Sequence, residues 1–337
     1  MPNEKVTMQQ IADTLGISKV SVSKAIKHQD GVGPELRRRI LETASDLGYV
    51  YKQRPEEIQK SELRFAFFTP KRYFFENENF YSQIFYYLNK QCSDSHAALS
   101  VFIINAEDEA SQTIPAMFTA ESFDGIFIGG EMETGYIQSL LRFHLPIVLI
   151  DFYKPMLDLD CILVDNFYIG YQATTFLIHN GHTRIGFVGN PKQASSIVDR
   201  FYGYHKALAE YDLPYEPEWH LTNNDASTGL YTENFDLPQQ LPSAFVCYCD
   251  TAAFYLIKRL NALSIQVPQD ISVISFDNTE ISQNCNPRLT TIDISKRKLA
   301  DAAFRHMILR LSNPDDAKQR VIVSTQLIER DSVKKKV

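Results

Sequence analysis

Apolar residues recur at helical spacing in three short stretches near the start of the chain, which predicts three helices before residue 50. Thr7 and Ser18 are the predicted N-caps of the first two helices, and Gly16 supplies the tight turn between them. The third helix is predicted from Pro34 to Leu47. The positions expected to face inward are Met8, Ile11, Ala12, Leu15, Val22, Ala25, Ile26, Ile40, Leu41, Ala44 and Leu47.

Beyond a polar stretch at residues 50–62, short apolar runs alternate with helical segments. The predicted strands are 63–69, 98–104, 124–130, 146–151, 161–165, 185–190, 243–250, 271–278 and 321–330. The predicted helices are 80–94, 109–120, 134–143, 167–181, 198–211 and 251–263. Strands separated by helices indicate parallel sheets, and the pattern restarts near residue 161. The predicted fold is therefore α/β, with a three-helix head and two doubly wound parallel-sheet lobes, as in periplasmic binding proteins.

Two short helices joined by a glycine-containing turn form a helix-turn-helix. The outward positions of its second helix are Lys19, Val20, Ser21, Ser23, Lys24 and Lys27. Lysines suit phosphates and guanine edges, hydroxyls suit phosphates, and a valine methyl suits thymine, so this face fits a DNA major groove. The alternative is a small helical bundle whose lysines are simply solvated.

Charge is divided unevenly along the chain. The 337 residues carry a net charge of −7, yet residues 1–55 hold 9 Lys or Arg against 6 Asp or Glu, a net +3 that leaves −10 elsewhere. A basic head on an acidic body directs DNA to the head. Because the head is only weakly basic, we expect a dimer to be needed for firm binding.

Cysteine spacing and apolar run lengths exclude several classes of protein. The five cysteines are isolated or in one Cys-x-Cys without a second pair, which favours reduced thiols in a cytoplasmic protein without a metal or cofactor. No apolar run approaches 18 residues, and an export signal is missing, so neither secretion nor membrane insertion is expected. The C-terminal Lys-Lys-Lys-Val is expected to be a disordered end. No hydrolase, nucleotide-binding or zinc-protease motif is present, which argues against an enzyme.

A specific residue order strengthens the DNA-binding interpretation. Ile-Ala-x-x-Leu-Gly-Ile-Ser-x-x-Ser-Val-Ser-Lys-Ala-Ile at 11–26, with Leu-Gly-Tyr at 47–49, closely resembles the N-terminal domain of the LacI/GalR family of bacterial transcription regulators. The segments 164–170, 180–189, 200–208 and 267–277 are similar to the family's motifs in the body. The resemblance therefore covers nearly the whole chain.

The resemblance implies a DNA-binding domain at 1–49, a hinge linker at 50–62 and an effector-binding and dimerisation domain at 63–337. Lobe 1 is expected at about 63–163 plus 293–320, and lobe 2 at about 164–292 plus 321–330. The implied function is a homodimeric, operator-binding regulator, expected to be a repressor, whose DNA affinity is set by a small ligand. The alternative is a cytosolic carbohydrate-binding protein with a non-functional head.

Three residues match ligand-contacting positions of the family: Asp151, Arg200 and Asp277. A guanidinium and carboxylates each form two hydrogen bonds to adjacent hydroxyls, so a sugar is favoured over a purine or a protein corepressor. Phe75 and Phe80 are our candidates for stacking on a sugar face. The alternatives are an Arg–Asp ion pair that only shapes the loops, capping of a loop by Asp151, and core packing of the rings.

Two positions depart from the family pattern. Cys249 replaces an Asn that often contacts ligand, while Asp250 is left as an N-cap. In the linker, Pro55 and Glu56 stand where the family hinge helix carries other residues, which argues against a standard hinge helix. Ile58 remains a candidate apolar wedge in the minor groove.

Overall fold

The computed structural model describes residues 7–26, 32–47, 63–76, 79–223, 231–232 and 235–336. The chain divides into two compact units between residues 61 and 62. The first unit contains three helices, α1 (Met8–Leu15), α2 (Lys19–Ile26) and α3 (Pro34–Asp46).

Capping and turn residues define the first two helices as predicted. The Thr7 hydroxyl accepts a hydrogen bond from the Gln10 N–H at 3.3 Å, and the Gln10 side chain accepts one from the Thr7 N–H at 2.7 Å. Gly16 ends α1 with φ of +67°, a conformation that glycine adopts without strain. Ser18 Oγ accepts from the Ser21 N–H at 3.1 Å at the start of α2.

A small apolar cluster joins the three helices, formed by Ile11, Ala12, Val22, Ala25, Ile40 and Ala44. Leu41 and Leu47 were expected to face inward, but they are 38% and 39% exposed. Leu36 packs against the cluster instead, because 36, 40 and 44 lie on successive turns of one helix face and position 41 is about 100° away.

Within its described part, the second unit forms two six-stranded sheets. Their strands are β1 (Leu63–Pro70), β2 (Ala97–Ile104), β3 (Gly125–Gly129), β4 (Ile147–Ile150), β5 (Asp160–Leu163), β6 (Ile185–Val188), β7 (His220–Leu221), β8 (Ala244–Cys247), β9 (Ser272–Phe276), β10 (Thr290–Asp293), β11 (Arg320–Ile322) and β12 (Gln326–Ile328). The helices are α4 (Phe80–Asp94), α5 (Ala106–Ser111), α6 (Ala116–Ala120), α7 (Thr134–Leu141), α8 (Asn166–His179), α9 (Ser195–Glu210), α10 (Asp250–Ala262), α11 (Glu280–Asn284) and α12 (Lys296–Ser312).

The two sheets confirm the predicted pair of doubly wound lobes. The order is β11-β5-β4-β3-β1-β2 in the first lobe and β12-β10-β9-β8-β6-β7 in the second. All the strand pairs are parallel except β10 with β12. Helix α12 packs against α4 in the first lobe, and α8 packs against α9 in the second. The chain thus passes between the lobes three times, after β5, after β10 and after β11.

Four elements of the structure, β7, β10, α11 and α12, are not among the strands and helices predicted from the sequence. The structure differs from the predictions in three further places. The strand predicted at 321–330 is split into β11 and β12, because the chain crosses between sheets there. The helix predicted at 109–120 is two helices, with Pro115 at the N-cap of the second. The C-terminal lysines are not a free end, since the Lys334 N–H donates to Ser272 Oγ at 3.1 Å and the Lys336 N–H donates to the Asn180 carbonyl at 2.7 Å.

None of the helices in the described part of the chain is long and apolar enough to cross a lipid bilayer.

Candidate functional site

The second helix of the head carries five of the side chains proposed to contact DNA, and two of them are exposed. Lys19 and Val20 lie on its surface, and Val20 is 64% exposed. Ser21, Ser23 and Lys24 are half-buried beside them, above the buried Val22 and Ala25. Lys27 and Ile58 lie outside the described residues. This helix therefore presents an exposed branched apolar residue next to an exposed lysine.

In the body, the three predicted ligand residues meet between the lobes. Asp151 follows β4 of the first lobe, Asp277 follows β9 of the second, and Arg200 lies in α9. All three are buried, and Arg200 Nη2 lies 3.6 Å from Asp277 Oδ1. Both aspartates have positive φ, +69° and +99°, so each strand turns sharply as it ends. Asp277, at the carboxyl end of β9, is thus paired with the Arg200 guanidinium, while Asp151 lies at the carboxyl end of β4 in the other lobe.

Arg200 is held by the second lobe as well as by the ion pair. Its Nε donates to Asn166 Oδ1 at 2.8 Å, and its Nη1 donates to the Tyr248 carbonyl. Its guanidinium stacks 4.8 Å from the centre of the Phe276 ring. These contacts fix the guanidinium in one orientation, which is what recognition of paired hydroxyls requires.

Asp151 has an unusual environment. Burial raises its pKa from 3.8 to about 7, the charge of Arg200 opposes the rise, and the charge of Asp277 adds to it. The Tyr81 hydroxyl donates to Oδ2 at 3.1 Å, whereas Oδ1 is buried and has no hydrogen-bond partner among the described residues. The described contacts of the carboxyl group do not include a loop cap, the alternative considered from sequence.

The two rings predicted to stack on a ligand are not seen to line the cleft in the part of the chain that the structure describes. Phe80 is 7% exposed and belongs to the core of the body, with Lys296 Nζ 5.3 Å from its ring centre. Phe75 lies in a π-helical turn at Arg72–Glu76, but its side chain lies outside the described residues. Tyr81 belongs to the same aromatic group in the sequence but was not chosen as a candidate; it follows Phe80, and its ring lies 5.6 Å from that of Tyr73. A tyrosine at the start of the helix after the first strand combines a ring with a hydrogen-bond donor. This combination is the sequence feature that could have indicated Tyr81.

The departures near residue 249 have a structural basis. Cys249 itself caps α10, since its Sγ accepts from the Ala252 N–H at 3.3 Å and lies 3.0 Å from the Tyr231 hydroxyl. Asp250, expected as the cap, is buried and accepts instead from the hydroxyls of Ser275 and Thr291, at 2.6 and 2.8 Å. This network replaces an exposed cap with a buried link between α10, β9 and β10.

A second group of contacts between the lobes was not predicted. Glu131, which follows β3, places Oε1 2.5 Å from Lys154 Nζ and accepts at Oε2 from the N–H and the hydroxyl of Ser195, at 3.2 and 3.0 Å. The Tyr153 hydroxyl donates to Asp199 Oδ1 at 3.3 Å. Ser195 and Asp199 lie on α9, so both contacts join the first lobe to the helix that carries Arg200. Single polar residues in loops give no sequence pattern from which such pairs are predicted.

No group of His, Cys, Asp or Glu side chains suited to a metal ion occurs among the residues that the structure describes.

Comparisons with known proteins agree with the architecture. Residues 174–333 match the model of the periplasmic binding protein-like domain. The chain is 27% identical over 334 residues to the HTH-type transcriptional repressor PurR of Vibrio campbellii, which covers 98% of this chain and 99% of that protein.

Two solved structures show the same fold. The complex of the transcriptional regulator CelR with cellobiose aligns with a TM-score of 0.69 at 19% identity, over 97% of this chain and 100% of that one. The lac repressor dimer bound to operator and the anti-inducer ONPF aligns with a TM-score of 0.68 at 20% identity, over 98% and 100%. The likeness spans the sequence of both the head and the body.

Proposed function

Because this chain belongs to the LacI/GalR family of transcriptional regulators, we propose that it is a repressor that binds operator DNA as a homodimer in the cytoplasm. As a member of this family the chain is a DNA-binding regulator and not an enzyme. We assign DNA binding to residues 1–49, a hinge to 50–62, and effector binding with dimerisation to 63–337.

The observation that carries the DNA-binding proposal is the outer face of α2. Lys19 and Val20 are exposed, and Lys24 lies beside them at the edge of a buried apolar cluster. A rigid helix with cationic, hydroxyl and methyl groups on one face is suited to reading base edges in the major groove. Thr7, Ser18, Ser21, Ser23 and Lys27 complete the proposed contact set, with Ile58 as a wedge in the minor groove.

The effector site is proposed in the cleft at Asp151, Arg200 and Asp277, with Phe75 and Phe80 as ring contacts. A sugar is supported by a fixed guanidinium paired with the Asp277 carboxylate and by the buried Asp151 carboxyl, since such groups suit adjacent hydroxyls. The CelR structure contains cellobiose in a protein of the same fold. A purine is the second candidate, since Tyr73 and Tyr81 offer rings beside Asp151.

The proposed mechanism has two states. A ligand that contacts Asp151 in the first lobe and Arg200 in the second favours one relative orientation of the lobes. In a dimer, that orientation changes the spacing of the two heads and thus their fit to two half-sites.

Lys24→Ala tests the proposal for α2. We expect operator binding to weaken by about 1–3 kcal/mol and binding to random DNA to weaken less, because a lysine on a base edge carries specificity that a phosphate contact lacks. Fluorescence anisotropy with both DNAs measures the two affinities. The matched control is Lys206→Ala in the body, an exposed lysine paired with Glu210.

Equal losses on both DNAs would reduce Lys24 to a phosphate contact. If the unmodified protein distinguishes no DNA sequence, the alternative of a carbohydrate-binding protein with a non-functional head replaces the proposed function.

A further inference from the structure

The carboxylate of Glu131 is bound by a set of donor groups that would also suit an external anion. The N–H and hydroxyl of Ser195 donate to its Oε2, and Lys154 Nζ contacts its Oε1. Ser195 is the first residue of α9, a helix of 16 residues, so the positive end of the helix dipole faces the carboxylate. A helix N-terminus, a hydroxyl and a lysine together bind phosphate and carboxylate groups well. Here the chain fills that set with its own side chain.

The same cleft contains a polar atom that still needs a donor. Asp151 Oδ1 is buried and has no partner among the described residues, while Oδ2 accepts from Tyr81. Leaving a buried carboxylate oxygen without a hydrogen bond costs free energy, which a ligand hydroxyl or amine would recover. Glu131 follows Gly130, where an added Cβ would lie 2.9 Å from the Tyr73 ring, and the Tyr73 ring lies 5.6 Å from that of Tyr81. Tyr73 and Tyr81 therefore connect the backbone next to Glu131 with Asp151.

We propose that Glu131 makes the cleft selective against anionic effectors, so that the effector is an unphosphorylated polyhydroxyl compound that donates a hydroxyl or an amine hydrogen to Asp151. This inference rests on the proposed function, because it names the chemical class of the effector at that same site. An incoming phosphate would have to displace the Glu131 carboxylate from Ser195 and Lys154. It would also face the Asp151 carboxyl, while the Arg200 guanidinium is already paired with Asp277. A neutral or amine-bearing sugar meets neither obstacle.

Phosphate binding by the full chain tests the selectivity. In Glu131→Ala the donors of Ser195 and Lys154 are released, and we expect inorganic phosphate to bind at least about tenfold more tightly than to the unmodified protein, as for one charge-assisted contact set. Titration followed by phosphorus NMR at constant ionic strength gives both dissociation constants. Glu131→Ser is titrated in the same way, so that the result does not depend on the folding of one variant.

Two control variants separate the site from general charge effects. Glu131→Asp keeps the carboxylate and should bind phosphate as weakly as the unmodified protein does. Glu131→Ala combined with Lys154→Met should lose the gain. The proposal is overturned if the alanine and serine variants gain no affinity, or if the unmodified protein binds phosphate equally well.

Operator binding measured on the same samples keeps the two proposals apart. Unchanged operator binding with no gain of phosphate affinity overturns the selectivity alone. If the unmodified protein shows no sequence-specific DNA binding, the proposed function is overturned. The phosphate affinities then still describe the selectivity of the cleft.

Discussion

Asp151 combines properties that seldom meet in one carboxyl group. It is buried, it lies near the charges of Arg200 and Asp277, and one of its oxygens has no partner among the described residues. Burial raises its pKa to about 7, above the ordinary value of 3.8. Between about pH 4 and pH 7 the folded protein therefore keeps a proton that the unfolded chain has released. The contribution of this group to stability is largest at low pH and is lost as the pH rises to about 7.

Asp151→Asn should remove that pH dependence. The variant and the unmodified protein should be similarly stable near pH 4, and the variant should be more stable by ~2–4 kcal/mol at pH 8, because each pKa unit corresponds to about 1.4 kcal/mol. Urea denaturation at several pH values measures the difference. A difference that stays constant with pH would contradict the assignment.

Asp331→Asn is a useful control because the stability contribution of Asp331 changes with pH in the opposite direction. The hydrogen bond and charge of Arg288 lower the pKa of Asp331. The unmodified protein then has a stabilising contribution above the unfolded pKa, which disappears as the pH falls. The two substitutions should thus give slopes in opposite directions.

At the scale of secondary-structure elements, the close packing of α8 against α9 depends on two glycines. A Cβ added at Gly203 would lie 2.0 Å from the Phe167 carbonyl oxygen, and one added at Gly170 would lie 2.2 Å from the Arg200 carbonyl oxygen. Both obstacles are backbone atoms, which have no rotamer with which to give way. The close crossing positions the part of α9 that carries Arg200, so these glycines affect Arg200 through the backbone.

Gly203→Ala should lower the free energy of unfolding by ~3 kcal/mol or more, since the helices must separate. The displaced α9 should also weaken the effector response. Gly135→Ala is the matched control, because the added Cβ meets only the flexible end of Gln112. Thermal denaturation of the two variants compares the effects, and equal Tm values would contradict the steric explanation.

At the scale of secondary-structure elements, the sequence predicted features that follow local patterns. It did not predict contacts between residues far apart in the chain. Thr7, Gly16 and Ser18 mark the head because caps and turns follow local rules, and the apolar runs locate most strands of the body. Glu131 and Ser195 lie 64 positions apart, and nothing local indicates their contact. Asp151, Arg200 and Asp277 were selected by resemblance to a family, whereas the missing partner of Asp151 Oδ1 required coordinates.

The whole molecule has separate apolar clusters in its two units. Among the residues that the structure describes, the head has a cluster of six buried residues, whereas the body has three larger clusters. Small units bury a smaller fraction of their surface and are only marginally stable. The head also holds a net charge of +3 within residues 1–55, against −10 in the remainder. The larger apolar clusters and the net positive charge therefore belong to different units.

Calorimetry of the full chain should show two transitions, with the head unfolding at the lower temperature. Operator DNA should raise the lower transition, and a sugar that binds the cleft should raise the upper one, because each ligand stabilises the unit that it binds. Random DNA at equal concentration is the control. A single transition that both ligands shift equally would contradict the independence of the two units.

The three passages of the chain between the lobes have a consequence for the order of synthesis. The first lobe begins at Leu63, but its covering helix α12 and its edge strand β11 are translated last, with Arg320–Ile322 closing the sheet on β5. The second lobe likewise waits for β12 to pair with β10. A nascent chain that has emerged only to residue 290 therefore exposes Phe65, which later packs against Phe304 at 6.3 Å. The first lobe cannot be completed on the ribosome before residue 322 has emerged, nor the second before residue 328. This lengthens the period in which chaperones are needed.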